Sequence, residues 1–247
     1  MVAADTLAQS PEAAGSIPAD PRLIVPLDLP TVDEARRMVD ALGDSISFYK
    51  VGLELFAAGG GMAFAAELKA QGKQVFLDWK LHDIGATVEK AAAALARAGS
   101  GDFLTVHAEP QVLAAAVKGR GAGDLKILGV TVLTSLNAAD LAEIGYALDV
   151  EALVERRIRQ VLDAGADGVI ASPHEAALAR RIGGPSFLVV TPGVRPSWSG
   201  KDDQARAATP AEALRGGASH LVCGRPITAA ADPRAAALAV TEEMAAA

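Results

Sequence analysis

Short runs of branched and aromatic residues alternate with longer helical patterns from Arg22 to the end of the chain. Turn and capping residues bound each run, as is typical of buried strands. The runs predicted to be strands are Leu23–Leu27, Phe48–Gly52, Val75–Lys80, Phe103–His107, Ile127–Leu133, Gly168–Ala171, Phe187–Thr191 and His220–Cys223. Strands that alternate with helices in this way favour an α/β fold with parallel strands.

The segments between these strands carry helix-end signals. Thr31 and Thr209-Pro210 are N-terminal caps, and Gly residues follow several helical patterns. The predicted helices are Thr31–Leu42, Ala57–Gln71, Thr87–Ala98, Pro110–Lys118, Val150–Ala164, Pro173–Ile182, Pro210–Gly216 and Pro233–Met244. Eight strand–helix units in about 225 residues predict a single-domain (β/α)₈ TIM barrel. An open doubly wound sheet is the alternative, although no G-x-G-x-x-G motif follows the first strand.

Composition narrows the class of protein. The chain has 247 residues, 51% of them apolar, and a net charge of −7, which gives no support for nucleic-acid binding. A single cysteine, Cys223, cannot form an intrachain disulfide, and we expect a cytoplasmic protein. Residues 1–21 lack the features of a secretory signal and are predicted to be a disordered or loosely attached tail before the barrel domain, 22–247. No segment has the length and apolarity of a membrane span.

Polar residues gather where the predicted strands end, which is the catalytic face of such a barrel. They are Asp28, Lys50, Asp78, Lys80, His107, Thr134, Ser172, Thr191 and Arg225. Alternate side chains of a strand share a face, so Asp78 and Lys80 are predicted to point the same way, with Asp83 in the next turn. Three charges this close are costly to bury unless they pair. A surface ion pair beside a loop is the alternative interpretation.

A phosphate site is predicted between the last two strands and their loops. The stretch from Thr191 to Arg206 is long and polar, and Gly224-Arg225 follows strand eight. Gly224 lets a backbone approach an anion, and the Arg225 guanidinium matches phosphate oxygens. Gln204 can donate an amide hydrogen bond from the loop 193–206, which we expect to act as a lid. A rim salt bridge is the alternative for Arg225, and Arg195 or Arg206 alone would more often be solvated.

Several ordered motifs together resemble the bacterial type of orotidine 5'-phosphate decarboxylase, from Leu23 to Thr228. The segment Asp78-x-Lys80-x-x-Asp83-Ile84 is similar to the family signature. Further similar segments are Leu27-Asp28, Lys50-Val51-Gly52, Val130 to Ser135, Thr191 to Pro196, Asp203-Gln204 and Val222 to Ile227. Two departures are Trp79, a bulkier residue between the two charges, and Gly85-Ala86, where many members have Pro-Asn. Trp79 should face away from the site.

The resemblance implies that orotidine 5'-phosphate loses CO₂ to give uridine 5'-phosphate, the last step of de novo pyrimidine nucleotide synthesis, without a cofactor or metal. Lys80 would stabilise the C6 carbanion and protonate it, and Asp78 would lie near the substrate carboxylate. Lys50 and Asp83 would complete an alternating array of charges. The nucleotide would bind through Asp28, Lys50, Thr134, Arg195, Gln204, Gly224 and Arg225. The resemblance also implies a homodimer in which Asp83, Ile84 and Thr87 enter the partner's active site.

Two other functions stay open at this point. One is a sugar-phosphate decarboxylase or aldolase of the same superfamily, which uses Mg²⁺ and carries a glutamate where Lys50 stands. The other is a phosphate-ligand sensor on a barrel that has lost its activity. Lys50 argues against the first, and the intact set of charges argues against the second. The histidines lack metal-ligand spacing. A structural hydrogen bond is expected for His82, and His107 is expected to support the pocket rather than to transfer protons.

Overall fold

A computed structural model describes residues 18–199 and 208–247. Eight parallel strands close into a barrel in sequence order, so the predicted TIM barrel is confirmed. The strands are β1 (Leu23–Pro26), β2 (Phe48–Gly52), β3 (Gln74–Leu81), β4 (Phe103–His107), β5 (Lys126–Val130), β6 (Gly168–Ile170), β7 (Leu188–Pro192) and β8 (His220–Val222). β1 pairs with β8 and closes the sheet.

Helices surround the barrel on the outside. Within the described residues they are α1 (Val32–Leu42), α2 (Leu53–Ala57), α3 (Gly61–Ala70), α4 (Gly85–Ala98), α5 (Pro110–Arg120), α6 (Ala138–Ile144), α7 (Val150–Asp163), α8 (Ala176–Gly183), α9 (Pro210–Arg215), α10 (Arg225–Thr228) and α11 (Pro233–Ala245). The predicted caps are present, since Thr31 accepts a hydrogen bond from the Glu34 amide and Thr209 forms a capping box with Glu212. A 3₁₀ turn, Gly43–Ser45, follows α1.

Four details of the sequence prediction were wrong. The predicted helix Ala57–Gln71 is two helices, because Gly59 and Gly60 adopt positive φ angles of 81° and 92° between α2 and α3. The helix predicted from Pro173 begins only at Ala176. Strand β5 ends at Val130, which leaves the following residues in a loop. The short helices α6 and α10 were missed, because one or two turns give too little periodicity to detect.

The core has two layers, set by strand alternation. One layer fills the barrel interior below the polar residues; it consists of Ile24, Phe48, Phe76, Phe103, Leu128, Val190 and Val222. The other layer packs strands against helices and includes Tyr49, Leu77 and Trp79. On β2 and β3 the interior positions run from aromatic to charged toward the C-terminal end. The barrel floor is therefore apolar, and the charges lie above it.

The predicted tail lies largely outside the described residues. Of its described part, Asp20 forms an ion pair with Arg22 at 2.7 Å and accepts a hydrogen bond from the Leu23 amide. No helix in 18–199 or 208–247 combines the length and the apolar character needed to traverse a bilayer.

Candidate active site

Asp78 and Lys80 meet at the C-terminal end of β3. The Lys80 Nζ atom lies 2.9 Å from Asp78 Oδ1, as the shared strand face predicted. Trp79 points the other way, into the layer between barrel and helices, where its ring lies 4.8 Å from that of Phe56. The unusual tryptophan therefore takes no part in the site.

The backbone at Lys80 departs from regular strand geometry. Among the described non-glycine residues, Lys80 alone has a positive φ angle, 48°. The pairing of β3 with β4 shifts between Leu77 and Leu81, which is the register change of a β-bulge. The buried Thr105 of β4 accepts a hydrogen bond from the Lys80 amide at 3.0 Å. The sequence pattern did not indicate Thr105, which precedes His107 by two residues on a strand whose other members are mostly apolar.

Four charged side chains form a continuous alternating chain across the barrel mouth. Asp28 Oδ1 lies 2.9 Å from Lys50 Nζ, Lys50 Nζ lies 3.4 Å from Asp78 Oδ2, and Asp78 Oδ1 lies 2.9 Å from Lys80 Nζ. Lys50 is 8% exposed, and the Asp78 side chain is 13% exposed. The chain sums to zero charge, which makes its burial tolerable.

Gly52 provides the space for the first of these pairs. A Cβ atom at Gly52 would lie 2.6 Å from Asp28 Oδ1 and 3.0 Å from Lys50 Nζ. Both distances are shorter than a normal van der Waals contact, so any side chain here would push the pair apart. The absence of a Cβ at the end of β2 is thus a requirement of the charge chain.

The pKa of the Asp78 carboxyl lies below its ordinary value. Burial acts to raise the pKa, but the charges of Lys50 and Lys80 and the hydrogen bonds from Lys80 and Thr105 lower it further than burial raises it. Asp78 therefore stays ionised at neutral pH. An anion bound beside it experiences a fixed negative charge as well as the two ammonium groups.

Asp83 does not contact the charge chain within the same polypeptide, and Asp28 occupies the outer end of that chain. Asp83, Ile84 and Thr87 are all exposed, with Ile84 68% exposed. Asp83 Oδ1 accepts a hydrogen bond from the Ile84 amide at 2.6 Å, and no described cation forms an ion pair with it. These three residues form an outward-facing patch at the start of α4.

Two connected cavities meet at the charge chain. The first, of about 190 Å³, is mainly apolar and is lined by Lys50, Phe76, Asp78, Lys80, Val130, Val132, Leu133, Thr134, Ile170, Pro192 and Val222. The second, of about 370 Å³, is polar and is lined by Pro26, Asp28, Lys50, Asp78, Lys80, Pro192, Gly193, Val194, Arg195, Val222, Gly224 and Arg225. One cleft thus offers an apolar pocket, a charged centre and an arginine-containing end.

The arginine end is built from the loops after β7 and β8. Arg225 is the first residue of α10, and Gly224 packs so closely on Pro26 that a Cβ would lie 3.0 Å from the proline ring. Arg195 is 9% exposed, and its buried Nε has no hydrogen-bond partner among the described residues. The Arg195 amide donates to the Ala208 carbonyl at 2.9 Å. Gln204 and Arg206 lie outside the described residues, as does half of the predicted lid, 200–206.

The histidines near the site form a separate network on the β4 side. The rings of His82 and His107 lie 4.8 Å apart, and His82 Nε2 lies 3.8 Å from Glu109 Oε2. Burial lowers the pKa of His107. Arg157 donates to Glu109 Oε1 at 2.9 Å and also contacts the Thr131 carbonyl. In the described part of the chain, no cluster of three His, Cys, Asp or Glu side chains could hold a metal ion.

Comparison with known proteins places the chain in a family. The family model described as orotidine 5'-phosphate decarboxylase / HUMPS family matches residues 21–240. The orotidine 5'-phosphate decarboxylase of Caulobacter sp. (strain K31) is 71% identical over 227 residues, which are 92% of this chain and 98% of that protein. That of Rhodopseudomonas palustris (strain HaA2) is 55% identical over 229 residues, 92% of this chain and 97% of that protein.

A solved structure shows the same relationship in three dimensions. The crystal structure of orotidine 5'-phosphate decarboxylase from Lactobacillus acidophilus superposes with a TM-score of 0.80 at 39% identity, covering 91% of this chain and 99% of that one. The matches extend over the whole barrel and include every element that builds the cleft. The chain therefore belongs to the orotidine 5'-phosphate decarboxylase / HUMPS family.

Proposed function

We propose that this protein is a carboxy-lyase that converts orotidine 5'-phosphate to uridine 5'-phosphate and CO₂, the last step of de novo pyrimidine nucleotide synthesis. The observation that carries the proposal is the Asp28–Lys50–Asp78–Lys80 chain, placed between an apolar pocket and an arginine-containing end. Family membership supports the same reaction. No cofactor is part of the proposal.

The two cavities suggest how the nucleotide lies. The pyrimidine ring occupies the apolar pocket, with the Thr134 hydroxyl at its edge. The phosphate binds at the other end, where Arg225 and Arg195 supply positive charge and Gly224 leaves the backbone accessible. The Gln204 side-chain amide is proposed to donate a further hydrogen bond to the phosphate from the loop 193–206. The ribose then lies over Asp28 and Lys50, which offer an acceptor and a donor to its hydroxyls.

Lys80 is the centre of the proposed chemistry. Loss of CO₂ leaves an electron pair on C6 that the ring cannot delocalise, so the transition state needs a fixed positive charge beside C6. The Lys80 ammonium supplies that charge and then transfers a proton to C6. Since Asp78 Oδ1 lies 2.9 Å from Nζ, the ammonium is held in place before substrate arrives. The positive charge of Lys80 is therefore preorganised, and it does not have to move into place when substrate binds.

Asp78 acts on the substrate carboxylate. Its pKa is lowered, so the carboxylate is ionised when the anionic substrate binds. Two like charges about 4 Å apart repel by about 4 kcal/mol at an effective dielectric constant near 20. The repulsion is relieved as CO₂ departs, which favours the transition state over the bound substrate. Lys50, at 3.4 Å from Asp78 Oδ2, keeps the site neutral enough to bind substrate.

The proposal includes a homodimer with shared active sites. The patch formed by Asp83, Ile84 and Thr87 faces outward, and Ile84 is 68% exposed, so these side chains are accessible to a second subunit. In the shared arrangement, the partner subunit's copy of this patch would close the apolar pocket. A carboxylate delivered in this way would also extend the charge chain beyond Lys80.

A direct assay tests the function. Purified protein is mixed with orotidine 5'-phosphate, and the absorbance change and released CO₂ are followed with and without EDTA, with Lys80→Ala as the inactive control. We expect EDTA-resistant formation of uridine 5'-phosphate. A well-folded protein that leaves orotidine 5'-phosphate unchanged would refute the proposal. EDTA-sensitive turnover of a sugar phosphate would favour the metal-dependent relatives instead, although Lys50 stands where they need a glutamate.

A further inference from the structure

The Thr105 hydroxyl lies between the two central charged residues, although it faces neither cavity. Thr105 belongs to β4 and is fully buried. Its Oγ1 atom donates to Asp78 Oδ1 at 2.9 Å and accepts a hydrogen bond from the Lys80 amide at 3.0 Å. One side-chain oxygen therefore contacts the carboxylate of one residue and the backbone of the other.

The strand register explains why a hydroxyl is needed at this position. Leu77 pairs with Leu104 and Leu81 pairs with Val106, so β3 has three residues where β4 has only Thr105. The Lys80 amide at this irregularity is satisfied by a side chain rather than by the β4 backbone. A buried amide without an acceptor is strongly disfavoured. Oγ1 takes the place of the missing backbone acceptor.

The direction of both hydrogen bonds is fixed by chemistry. The Lys80 amide can only donate, and an ionised Asp78 carboxylate can only accept. The single hydroxyl proton must therefore point at Asp78, which leaves a lone pair for the amide. Asp78 Oδ1 is also the atom that the Lys80 ammonium contacts. Thr105 thus links the left-handed backbone of Lys80 to the carboxylate that holds its Nζ.

We propose that Thr105 is a positioning residue for the decarboxylation, which sets the Lys80 backbone and the Asp78 carboxylate in their reactive geometry without touching the substrate. The inference rests on the proposed function. Thr105 contributes little to nucleotide binding, because it lines neither the apolar pocket nor the arginine-containing end. Its removal therefore changes the chemical step and leaves affinity nearly unchanged.

Thr105→Val is the test variant, since valine keeps the shape and removes both hydrogen bonds. We expect kcat to fall about 10- to 100-fold, the scale for a misplaced catalytic group, while KM and the affinity for uridine 5'-phosphate change less than about threefold. Thr105→Ser restores the hydroxyl and should recover most of kcat. Thr241→Val is the matched control: Thr241 is a buried threonine of α11 that donates to the Ala237 carbonyl and lines neither cavity.

Three results would contradict the positioning role of Thr105. A Thr105→Val enzyme with normal kcat, or one whose loss Thr105→Ser does not repair, overturns the positioning role. A loss that appears in KM alone also overturns it. If Thr105→Val is insoluble, Thr105→Cys takes its place, because a thiol is a poor donor and acceptor of similar shape. If the unsubstituted protein does not decarboxylate orotidine 5'-phosphate, the proposed function fails first and the inference falls with it.

Discussion

The Lys80 ammonium lies 2.9 Å from Asp78 Oδ1, although the two residues stand on one strand with a single residue between them. In a regular strand such side chains run parallel along one face. Here the bulge in β3 and the left-handed backbone of Lys80 accompany a direct ion pair between their ends. The consequence is a cation whose position is already set when substrate binds.

Lys80→Ala should abolish turnover, with kcat reduced more than about a thousandfold, because the carbanion loses both its counter-charge and its proton donor. Circular dichroism and binding of uridine 5'-phosphate should stay close to those of the unsubstituted protein. Lys126→Ala is the control: this exposed lysine lies at the opposite end of the barrel and pairs only weakly with Asp167, at 3.5 Å. A well-folded Lys80→Ala protein with near-normal kcat would refute the proposed mechanism.

Arg225→Ala should lower kcat/KM by an amount equivalent to about 3 kcal/mol of activation free energy, because a charge-assisted contact to the phosphate is lost. The same substitution should have little effect on the slow turnover of orotidine, which lacks the phosphate. Arg37→Ala, at an exposed position of α1, is the control for loss of a positive charge. Equal losses for both substrates would show that Arg225 lies outside the phosphate site.

Gly52→Ala should reduce kcat/KM at least about tenfold while leaving the melting temperature within a few degrees. The new Cβ would lie 2.6 Å from Asp28 Oδ1 and 3.0 Å from Lys50 Nζ, and both of these side-chain ends can swing away. The substitution should therefore displace the charged side chains without destabilising the fold. Steady-state kinetics with thermal unfolding measures both quantities, and unchanged kinetics would mean that the Asp28–Lys50 pair is not needed.

Mixing inactive Lys80→Ala chains with inactive Asp83→Ala chains tests the shared site. If Asp83 acts across the interface, each mixed dimer holds one doubly defective site and one intact site. Half of the dimers are mixed after random exchange, so activity should rise toward about a quarter of the unsubstituted level. If Asp83 serves its own chain, every site keeps one defect. No recovery, with mixed dimers confirmed by native mass spectrometry, would refute the shared site.

His220 should make the protein less stable in mild acid. Burial beside Phe48 and Phe103 lowers its pKa from 6.5 to about 4. The unfolded chain therefore binds a proton below pH 6.5 that the folded state takes up only near pH 4. The contribution of neutral His220 to the free energy of unfolding is therefore fully present above pH 6.5. It is lost as the pH drops from 6.5 to about 4, by up to about 3 kcal/mol.

Denaturant unfolding from pH 4 to 7.5, at one protein concentration, measures this effect. His220→Gln should flatten the decline relative to the unsubstituted protein, whatever its absolute stability. His174→Gln is the control, because His174 is exposed, and it should leave the curve unchanged. Identical slopes for all three proteins would show that His220 does not carry the pH dependence.

The sequence alone was enough for the barrel and for the residues along its mouth. Period-two alternation assigns Phe76, Asp78 and Lys80 to one face of β3 and Trp79 to the other, and the structure agrees. Strand order and the polar residues at strand ends follow from patterns that are local in the chain. Such local patterns can be recognised in a sequence because each depends on the preferences of a few neighbouring residues.

Only the tertiary structure revealed how distant residues meet. Thr105 gives no sequence signal, because its function depends on a register shift between two strands. Likewise, the place of Asp28 in the charge chain depends on its distance from Lys50 and on the gap at Gly52. Contacts between strands far apart in sequence depend on packing and register, which no local pattern encodes. The sequence thus determined which residues reach the barrel mouth, and the fold decided which of them touch.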